Sequence, residues 1–385
     1  MIFNLLLFLF CPFVSFVYVV RHISYTRMNS LIFISAFMSL CAILSPPFAD
    51  LARHASDYAQ FQIENSSNLI HTNGQDFVLY TLSYIFAKAG VNFDLIRGIF
   101  VFICYHISFI LFQNLMENRK DLADSKFIFY AIFLCFFFSV PFLWIVNGLR
   151  SATADYLMVY ACFSALQKKI FRTFIFAFFA VGTHFFTMIF VPVLFLPFFS
   201  IKIRPFIFKF IIVVSLFIGH LFFGSILGSS GSNNMALSEN ASNLYLQELN
   251  YSALSLGGLI AFILERLPLI LITLKVLFSS KEWIDNREYI CFYSCIFLTS
   301  ICLTYFIPLQ RIAWLVLPIM LFLYLKNFVY NSFFLIALLC SFIISQIAYI
   351  YGYREVFMST PFYYLLLPSF VSLFHTYPLN FDLNV

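Results

Sequence analysis

Long apolar runs alternate with short polar connections along the whole chain. Runs of about 18 or more residues recur, which is the length that an α-helix needs to cross a bilayer. We place them near residues 1–20, 31–48, 95–116, 127–146, 151–166, 173–199, 206–228, 253–278, 289–307, 312–325, 332–350 and 356–375. The pattern predicts an all-α fold, a polytopic integral membrane helical bundle that forms a single transmembrane domain over residues 1–385.

Composition supports this class. Hydrophobic residues make up 62% of the 385 positions, charged residues make up only 10%, and 56 residues are Phe. A water-soluble protein of this length would have too few polar residues to cover so much apolar surface. The net charge of +5 then reflects basic cytoplasmic loops rather than nucleic-acid binding. The nine cysteines show no metal-ligand spacing, so they are expected to be buried small hydrophobes. We expect neither a metal nor a cofactor.

Basic residues alternate between the connections, and this alternation predicts the topology, because Lys and Arg favour the cytoplasmic side. No positive charge precedes the first run, whereas Arg21, His22 and Arg27 follow it, so we expect an external N-terminus. The connections 49–94 and 229–252 carry few basic residues and are expected to be external loops. The first of them contains an amphipathic stretch that is too short to span and should lie at the interface.

One apolar run conflicts with simple alternation. The run 173–199 has basic connections at both ends, so a single crossing would place the basic stretch 202–209 outside. An even number of crossings removes the conflict. We therefore predict a hairpin of two short or re-entrant helices, with His184 near its outer turn. The complete bundle should then contain about 11 to 13 transmembrane segments.

Five ionisable side chains fall on the predicted outer face and define a candidate site. They are Arg53, Asp57, Arg150, His184 and Arg311. An ionisable group at or near membrane depth costs a few kcal/mol or more, so its presence there indicates a function. Arginines bind carboxylates and phosphates through a planar fork of donors. The group therefore predicts a site for an anionic substrate.

Local sequence suggests how the arginines are presented. Arg150 opens a helix, where backbone N–H groups and the helix dipole already favour an anion, and Asp155 is its expected counter-ion. Arg311 repeats this geometry at the outer start of a later helix. If the segment around residue 55 is helical, Arg53 and Asp57 are four residues apart and can pair.

Structural roles remain open for each of these positions. Arg150 could be a helix-end arginine that reaches towards water, and His184 could be a satisfied structural histidine. Arg53 with Asp57 could be an interfacial ion pair, and Arg354 could form a rim pair with Glu355. A second charged pair, Glu265-Arg266, lies in the middle of an apolar run. Adjacent helical residues point about 100° apart, so we expect these two side chains to have separate partners.

The order of these features resembles the EpsG-like branch of bacterial polysaccharide polymerases, which is related in role to the Wzy-type O-antigen polymerases. That branch has two spans and then an external Arg…Asp…Tyr segment, matched here by Arg53, Asp57 and Tyr58. In that branch this segment is followed by an amphipathic piece, an Arg that opens a small-residue helix, a Phe-His motif and a late Arg. The corresponding segments after the amphipathic piece are "GLRSATADYLMVYA", "AVGTHFFTMIFVPVLFL" and "LQRIAWLVLPIM". The chain departs from the family pattern at Gln75-Asp76, where Glu/Asp-Pro is common.

The resemblance implies a glycosyltransferase-C-like fold and metal-independent glycan polymerisation at the periplasmic face of the bacterial inner membrane, with a periplasmic N-terminus. The donor would be a chain on undecaprenyl diphosphate, and the acceptor would be a lipid-linked oligosaccharide repeat unit. The product would be O-antigen of lipopolysaccharide, capsule or exopolysaccharide, with a chain-length regulator protein as a possible partner. Arg150 and Arg311 would stabilise the diphosphate, and Arg53, Tyr58 and Arg354 would help to bind substrate. His184 is the first candidate for the general base, and Asp57 is the second.

Three further functions fit the same features. A flippase or transporter for the same lipid-linked sugar would also need arginines near a diphosphate. Transporters of this kind usually contain internal repeats and charges at the bilayer midplane, whereas here the charges gather at one rim. An O-antigen ligase and a membrane acyltransferase are the second and third of these functions.

Overall fold

The computed structural model describes residues 2–48, 50–63, 76–198, 256–279, 285–302, 306–328 and 331–375, together with residues 210, 214 and 283. The regular elements in these ranges are helices. The α-helices are α1 (Ile2–Phe10), α2 (Pro12–His22), α3 (Leu31–Leu44), α4 (Asp50–Ile63), α5 (Phe77–Lys88), α6 (Phe93–Asn118), α7 (Lys126–Phe138), α8 (Phe142–Asn147), α9 (Leu149–Leu166), α10 (Ile170–Thr183), α11 (Val191–Phe195), α12 (Leu256–Glu265), α13 (Leu267–Leu277), α14 (Asn286–Ile301), α15 (Phe306–Asn327), α16 (Ser332–Gly352), α17 (Arg354–Ser359) and α18 (Ser369–Leu373). The predicted loop 229–252 lies outside the described residues, as do the connection 202–209 and residues 64–75.

Within these ranges, four helical segments are long and apolar enough to cross a membrane. They are Tyr25–Leu44, Phe93–Asn118, Lys126–Asn147 and Ser332–Gly352. Other apolar helices, including α5, α10 and α13, are only 10–17 residues long. The described residues are therefore all-helical, as predicted, and four of their helical segments have the length and composition of membrane spans. Four of the predicted crossings, 1–20, 127–146, 253–278 and 356–375, are not single helices, and a proline lies at or within two residues of each break.

The first apolar run folds back on itself, so the prediction of one crossing over 1–20 is wrong. Helices α1 and α2 meet at Cys11, whose backbone is extended, and Pro12 opens α2. The ring centroids of Phe3 and Tyr18 lie 5.3 Å apart. A straight helix would separate these residues by roughly 22 Å. Proline causes the break because it lacks an N–H and disfavours the helical conformation in the preceding residue. The prediction of an external, periplasmic N-terminus depended on that crossing and loses its support.

Prolines also interrupt the last apolar run, 356–375, which we expected to cross as one segment. It consists of α17, a 3₁₀ helix over Phe362–Leu366 and α18. Pro361 and Pro368 stand immediately before the second and third pieces. Both of these pieces pack against α3. The run is therefore a series of short helices beside the N-terminal hairpin.

The apolar run 173–199 reverses at His184, as predicted. Helix α10 ends at Thr183, the backbone of His184 is extended, and a 3₁₀ helix over Phe185–Phe190 leads into α11. The ring centroids of Phe174 and Phe195 lie 5.7 Å apart, although these residues flank His184 at similar distances along the chain. His184 therefore lies at the tip of a helical hairpin.

Buried hydroxyl groups satisfy the backbone where Pro141 separates α7 from α8. Tyr156 of α9 donates to the carbonyl of Ser139 at 3.0 Å, and Tyr105 of α6 donates to the carbonyl of Val140 at 3.4 Å. These bonds matter because a bilayer offers no water to an open peptide group. Helix α9 follows this break and packs against α6, α10 and α15.

A second break changes the interpretation of Glu265-Arg266. Arg266 separates α12 from α13 with a φ of −100° and a ψ of 1°. Its Nη1 lies 3.2 Å from Oε2 of Glu265, and its guanidinium lies 3.7 Å from the ring centroid of Phe262. The expectation of separate partners assumed a continuous helix and is wrong, because the break brings the two side chains together.

The close packing of α3 against α6 depends on Gly98. A Cβ atom at this position would lie 2.8 Å from Cδ1 of Ile43 and 2.9 Å from Oγ of Ser39. We therefore expect Gly98→Val to separate the two helices and lower the free energy of unfolding by about 1–3 kcal/mol. The measurement is the unfolding temperature of the detergent-solubilised protein. Gly352→Val is the control, since a Cβ there has no atom within 4 Å. Equal unfolding temperatures for the two variants would contradict the close approach.

Candidate functional site

The ends of four helices bring ionisable side chains together at one place in the bundle. Asp76 is the N-cap residue of α5, and Arg150 is the second residue of α9. His184 lies at the hairpin tip, and Arg311 lies in the second turn of α15. We refer to these four residues as the Asp76 cluster.

The carboxylate of Asp76 connects the members of the cluster. Its Oδ2 accepts a hydrogen bond from Nη1 of Arg150 at 2.6 Å. Its Oδ1 accepts one from the backbone N–H of Phe185 at 3.1 Å and lies 3.3 Å from Nδ1 of His184. An aspartate at an N-cap usually accepts from its own helix, but Asp76 makes no such bond. Its oxygens bind α9 and the hairpin tip instead.

Arg311 extends this chain of contacts through the imidazole. Its Nη1 contacts Nε2 of His184. A guanidinium carries only donors, so Nε2 must be the acceptor and must lack a proton. The ring proton then lies on Nδ1, from which His184 donates to Asp76. These contacts define a neutral imidazole whose tautomer is set by the carboxylate.

Asp76 and His184 are buried, Arg150 and Arg311 are half-buried, and the four side chains together carry excess positive charge. Asp76 is 7% exposed and His184 is 5% exposed. Burial alone would raise the pKa of Asp76, but the hydrogen bond with His184, the charge of Arg150 and the N–H of Phe185 together lower that pKa below its usual value. Asp76 is therefore ionised at neutral pH. Two guanidinium groups against one carboxylate leave one positive charge in excess.

Three predicted site residues, Arg150, His184 and Arg311, lie together as expected. Asp76 was not among the predicted residues and entered only as a departure from the family pattern. A signal for it was present in the sequence, because it is an acidic residue directly before an amphipathic helix on the predicted face of the arginines. An excess of arginines on one face needs a carboxylate, and the sequence left more than one candidate.

The counter-ion of Arg150 is Asp76 rather than Asp155, so that prediction is wrong. Residues five apart on a helix point roughly 140° away from each other, which keeps Asp155 from reaching Arg150. Asp155 is 1% exposed, and the charge that acts on its carboxylate is that of Arg311.

The predicted residues Arg53 and Asp57 lie in α4 and border the cluster. Oδ2 of Asp57 is 4.0 Å from Nδ1 of His54, one turn earlier on the same helix. His54 and Asp57 line a small cavity with Tyr80 and with Leu149, the residue before Arg150. Burial raises the pKa of the Tyr80 phenol. The charge of Asp57 also raises this pKa, and the charges of Arg53, Arg150 and Asp76 act on it as well. The α4 charges are therefore neighbours of the site.

Two predicted substrate-binding residues, Tyr58 and Arg354, contact groups outside the Asp76 cluster. Tyr58 is 1% exposed, and its hydroxyl donates to the carbonyl of Val91. It therefore connects α4 to the segment before α6. The guanidinium of Arg354 lies 5.2 Å from the ring centroid of Tyr351 and donates to the Tyr351 carbonyl at 3.4 Å.

No family model matches the chain, and no curated protein or solved structure matches it. The resemblance to EpsG-like polymerases therefore stays a prediction from sequence motifs. In the part of the chain that the structure describes, no group of three or more His, Cys, Asp or Glu side chains is arranged to hold a metal ion.

Close packing at Gly182 keeps the cluster closed. A Cβ atom there would lie 2.5 Å from Cγ2 of Val78 and 2.7 Å from Cζ of Phe77. These two residues directly follow Asp76 in the sequence. We expect Gly182→Val to displace α5 from the hairpin tip and to expose the imidazole of His184.

The measurement is modification of histidines by diethyl pyrocarbonate, followed by mass spectrometry of peptides. His184 should react several-fold faster in Gly182→Val than in the wild type, and the exposed His22 supplies an internal reference. Gly352→Val is the matched control, because a Cβ there meets no neighbouring atom within 4 Å. Unchanged protection of His184 would show that Gly182 does not hold the cluster closed.

Proposed function

We propose that the chain is a glycosyltransferase that polymerises undecaprenyl-diphosphate-linked oligosaccharide repeat units. The supporting observation is a neutral His184 held between the ionised Asp76 and Arg311, with Arg150 beside them. This arrangement combines a proton acceptor with excess positive charge in a buried place. Transfer of a sugar from a diphosphate needs both, because the acceptor hydroxyl loses a proton while the leaving group carries negative charge.

In this proposal His184 takes the proton of the acceptor hydroxyl. Asp76 holds the Nδ1–H tautomer, so Nε2 is the basic nitrogen, and its charge stabilises the imidazolium that forms. Proton abstraction by a positioned base typically contributes about 10²- to 10⁴-fold to a rate. His184 is then the general base and Asp76 a positioning residue. Asp57, the second candidate base, contacts His54 at the border of the cluster.

The two arginines bind the diphosphate in this mechanism. Arg150 lies in the first turn of α9, where the backbone N–H groups and the helix dipole add to its charge. Arg311 donates to Nε2 of His184 in the structure. It must turn to the diphosphate before that nitrogen can accept a proton. Binding of the anionic donor therefore releases the base, which couples donor binding to activation of the acceptor.

The sequence motifs support the more specific parts of the proposal. Their resemblance to EpsG-like polymerases favours a glycosyltransferase-C-like fold in the bacterial inner membrane, with the Asp76 cluster on the periplasmic side. The donor would be a growing glycan on undecaprenyl diphosphate, and the acceptor would be a lipid-linked repeat unit. The product class would be O-antigen, capsule or exopolysaccharide, and a chain-length regulator protein would be a partner.

The Asp76–His184 pair favours a transferase over a flippase. A flippase for the same lipid would also bind a diphosphate, but moving the lipid across the membrane does not require a hydroxyl group to be deprotonated. A glycan ligase or a membrane acyltransferase would need such a pair, so the product separates these functions. Deletion of a polymerase leaves single capped repeats at the surface, whereas deletion of a flippase leaves none exported and deletion of a ligase leaves glycan on its lipid carrier.

His184→Gln tests the base in a deletion strain that expresses the variant. Glutamine can hydrogen-bond but cannot take up a proton at neutral pH, so we expect single repeats and no long chains. The measurement is the length distribution of surface polysaccharide on gels, with the amount of variant in membranes as a check. His22→Gln changes an exposed histidine and should leave long chains. Long chains from His184→Gln would make His184 a structural residue of the hairpin tip.

Asp76→Asn tests whether the carboxylate and the imidazole act as a unit. The amide removes the charge and can stabilise the wrong tautomer of His184, so the polymerisation rate should fall by about 10²-fold or more. The double variant Asp76→Asn with His184→Gln should be little worse than either single variant, because both act on one proton transfer. The measurement is the rate of chain extension in membranes supplied with lipid-linked repeat units. Multiplicative losses would show that the two residues act independently.

A further inference from the structure

Two buried cysteines of different helices are in contact far from the Asp76 cluster. Sγ of Cys162 in α9 lies 3.3 Å from Sγ of Cys291 in α14. Cys291 also hydrogen-bonds Cys295, one turn later on α14. Cys162 follows Arg150 by 12 residues, which is about 18 Å along α9. Three thiols therefore meet at the end of α9 that is remote from the arginine.

Burial of the cysteines agrees with the sequence for most of them. Seven of the nine are buried, whereas Cys11 is half-buried and Cys340 is exposed. A small hydrophobe only has to fill volume, and a single thiol does so without a particular neighbour. Contact between two sulfur atoms adds a chemical possibility to this role, because a thiol next to a thiol can be oxidised to a disulfide.

The distance between the two sulfur atoms is close to what a disulfide needs. An S–S bond is about 2.05 Å long, so the atoms must approach each other by roughly 1.2 Å. Each sulfur lies at the end of one rotatable Cα–Cβ bond, and small rotations about these bonds can supply the approach. The bond can therefore form without a rearrangement of the helices.

Helix α15 holds both helices beside the pair. The ring of Phe163, the residue after the first cysteine, lies 5.5 Å from that of Phe322 in α15. Glu288, one turn before the second cysteine, accepts a hydrogen bond from Nδ2 of Asn327 at 2.7 Å. These contacts anchor α9 and α14 to the same helix next to each cysteine, so the sulfur atoms stay in contact.

We propose that Cys162 and Cys291 form an oxidation site at which a peroxide joins α9 to α14 through a disulfide bond. One thiol attacks the peroxide, an S–O bond forms as the O–O bond breaks, and the thiol proton leaves with the departing hydroxide as water. The second thiol attacks the resulting sulfenic acid, and its proton leaves with the hydroxyl group as a second water. Two electrons pass from the thiols to hydrogen peroxide. The proposal does not depend on the proposed function.

Burial makes this modification slow to form and slow to reverse. A thiol in apolar surroundings reacts slowly because the thiolate is the nucleophile. Once a sulfenic acid has formed, the neighbouring sulfur at 3.3 Å captures it before a second peroxide arrives. A reductant has to attack a sulfur atom directly, and both cysteines are 0% exposed. The disulfide should therefore persist in the folded protein.

The test treats the full chain in detergent with hydrogen peroxide, blocks the remaining thiols with N-ethylmaleimide in denaturant, and analyses unreduced peptides by mass spectrometry. The wild type should give a linked peptide that contains Cys162 and Cys291 and lacks two hydrogen atoms relative to the separate peptides. Dithiothreitol should cleave this link readily in denaturant and about tenfold or more slowly in the folded protein, because the reductant cannot reach a buried sulfur.

Matched variants separate the pair from the other thiols. Cys162→Ser should yield no such peptide, and Cys162→Ala, which adds no polar group, keeps the test informative if the serine variant does not fold. Cys302→Ser is the control, because it makes the same change at another buried cysteine at the end of α14 and should keep the link.

Two results would overturn the proposal. One is absence of the linked peptide from the wild type at a peroxide concentration that fully oxidises the exposed Cys340. The other is a link that joins Cys291 to a different cysteine, or that forms only after the protein has been denatured. Either result would mean that the two thiols fill space between the helices and are not an oxidation site.

Discussion

The ionic contact of Asp76 with Arg150 is the interaction on which the site depends. Each of these charges would be costly in a buried position, and removal of one partner from a buried pair typically costs about 3–5 kcal/mol. Arg150 also lies at the positive end of α9, close to a second arginine, so the pair offsets two unfavourable electrostatic effects. The same carboxylate orients His184 through its other oxygen. Asp76 thus offsets the electrostatic cost of the arginine with one oxygen and holds the imidazole of His184 in one orientation with the other.

Interruptions of helices create the site. Asp76 lies before the first turn of α5, and His184 lies where α10 stops. A helix that continued through His184 would keep its backbone N–H groups within the helix, whereas the break directs the N–H of Phe185 to Asp76. Gly182 lets α10 approach α5 closely enough for these contacts. In a bilayer such irregular backbone must be satisfied by protein groups, and the contacts of Asp76 accomplish part of this.

The cluster and the large apolar cavity of the bundle have opposite physical character. The cavity is lined mostly by aromatic and aliphatic side chains, whereas the cluster holds a carboxylate, an imidazole and two guanidinium groups. The ring of Trp314, one turn after Arg311, lies beside Tyr349 of the cavity wall and stacks on Trp144. Low polarity around a buried ion pair strengthens its electrostatic contacts and raises the cost of leaving either partner alone.

Local sequence was sufficient for the membrane class, the helical content, the reversal at His184 and the grouping of Arg150, His184 and Arg311. Hydropathy and the placement of basic residues are local properties, and a membrane restricts the possible arrangements to spanning or returning helices. Pro12, Pro361 and Pro368 also signal their breaks in the sequence, but the length of each apolar run by itself predicts a single crossing. The role of Asp76, in contrast, could not be predicted from local sequence. Its partners lie 74 and 108 positions away along the chain, and only tertiary packing decides which of several carboxylates reaches which arginine. The cavity is likewise a property of packing, because the apolar residues that line it are indistinguishable in the sequence from those that fill the core.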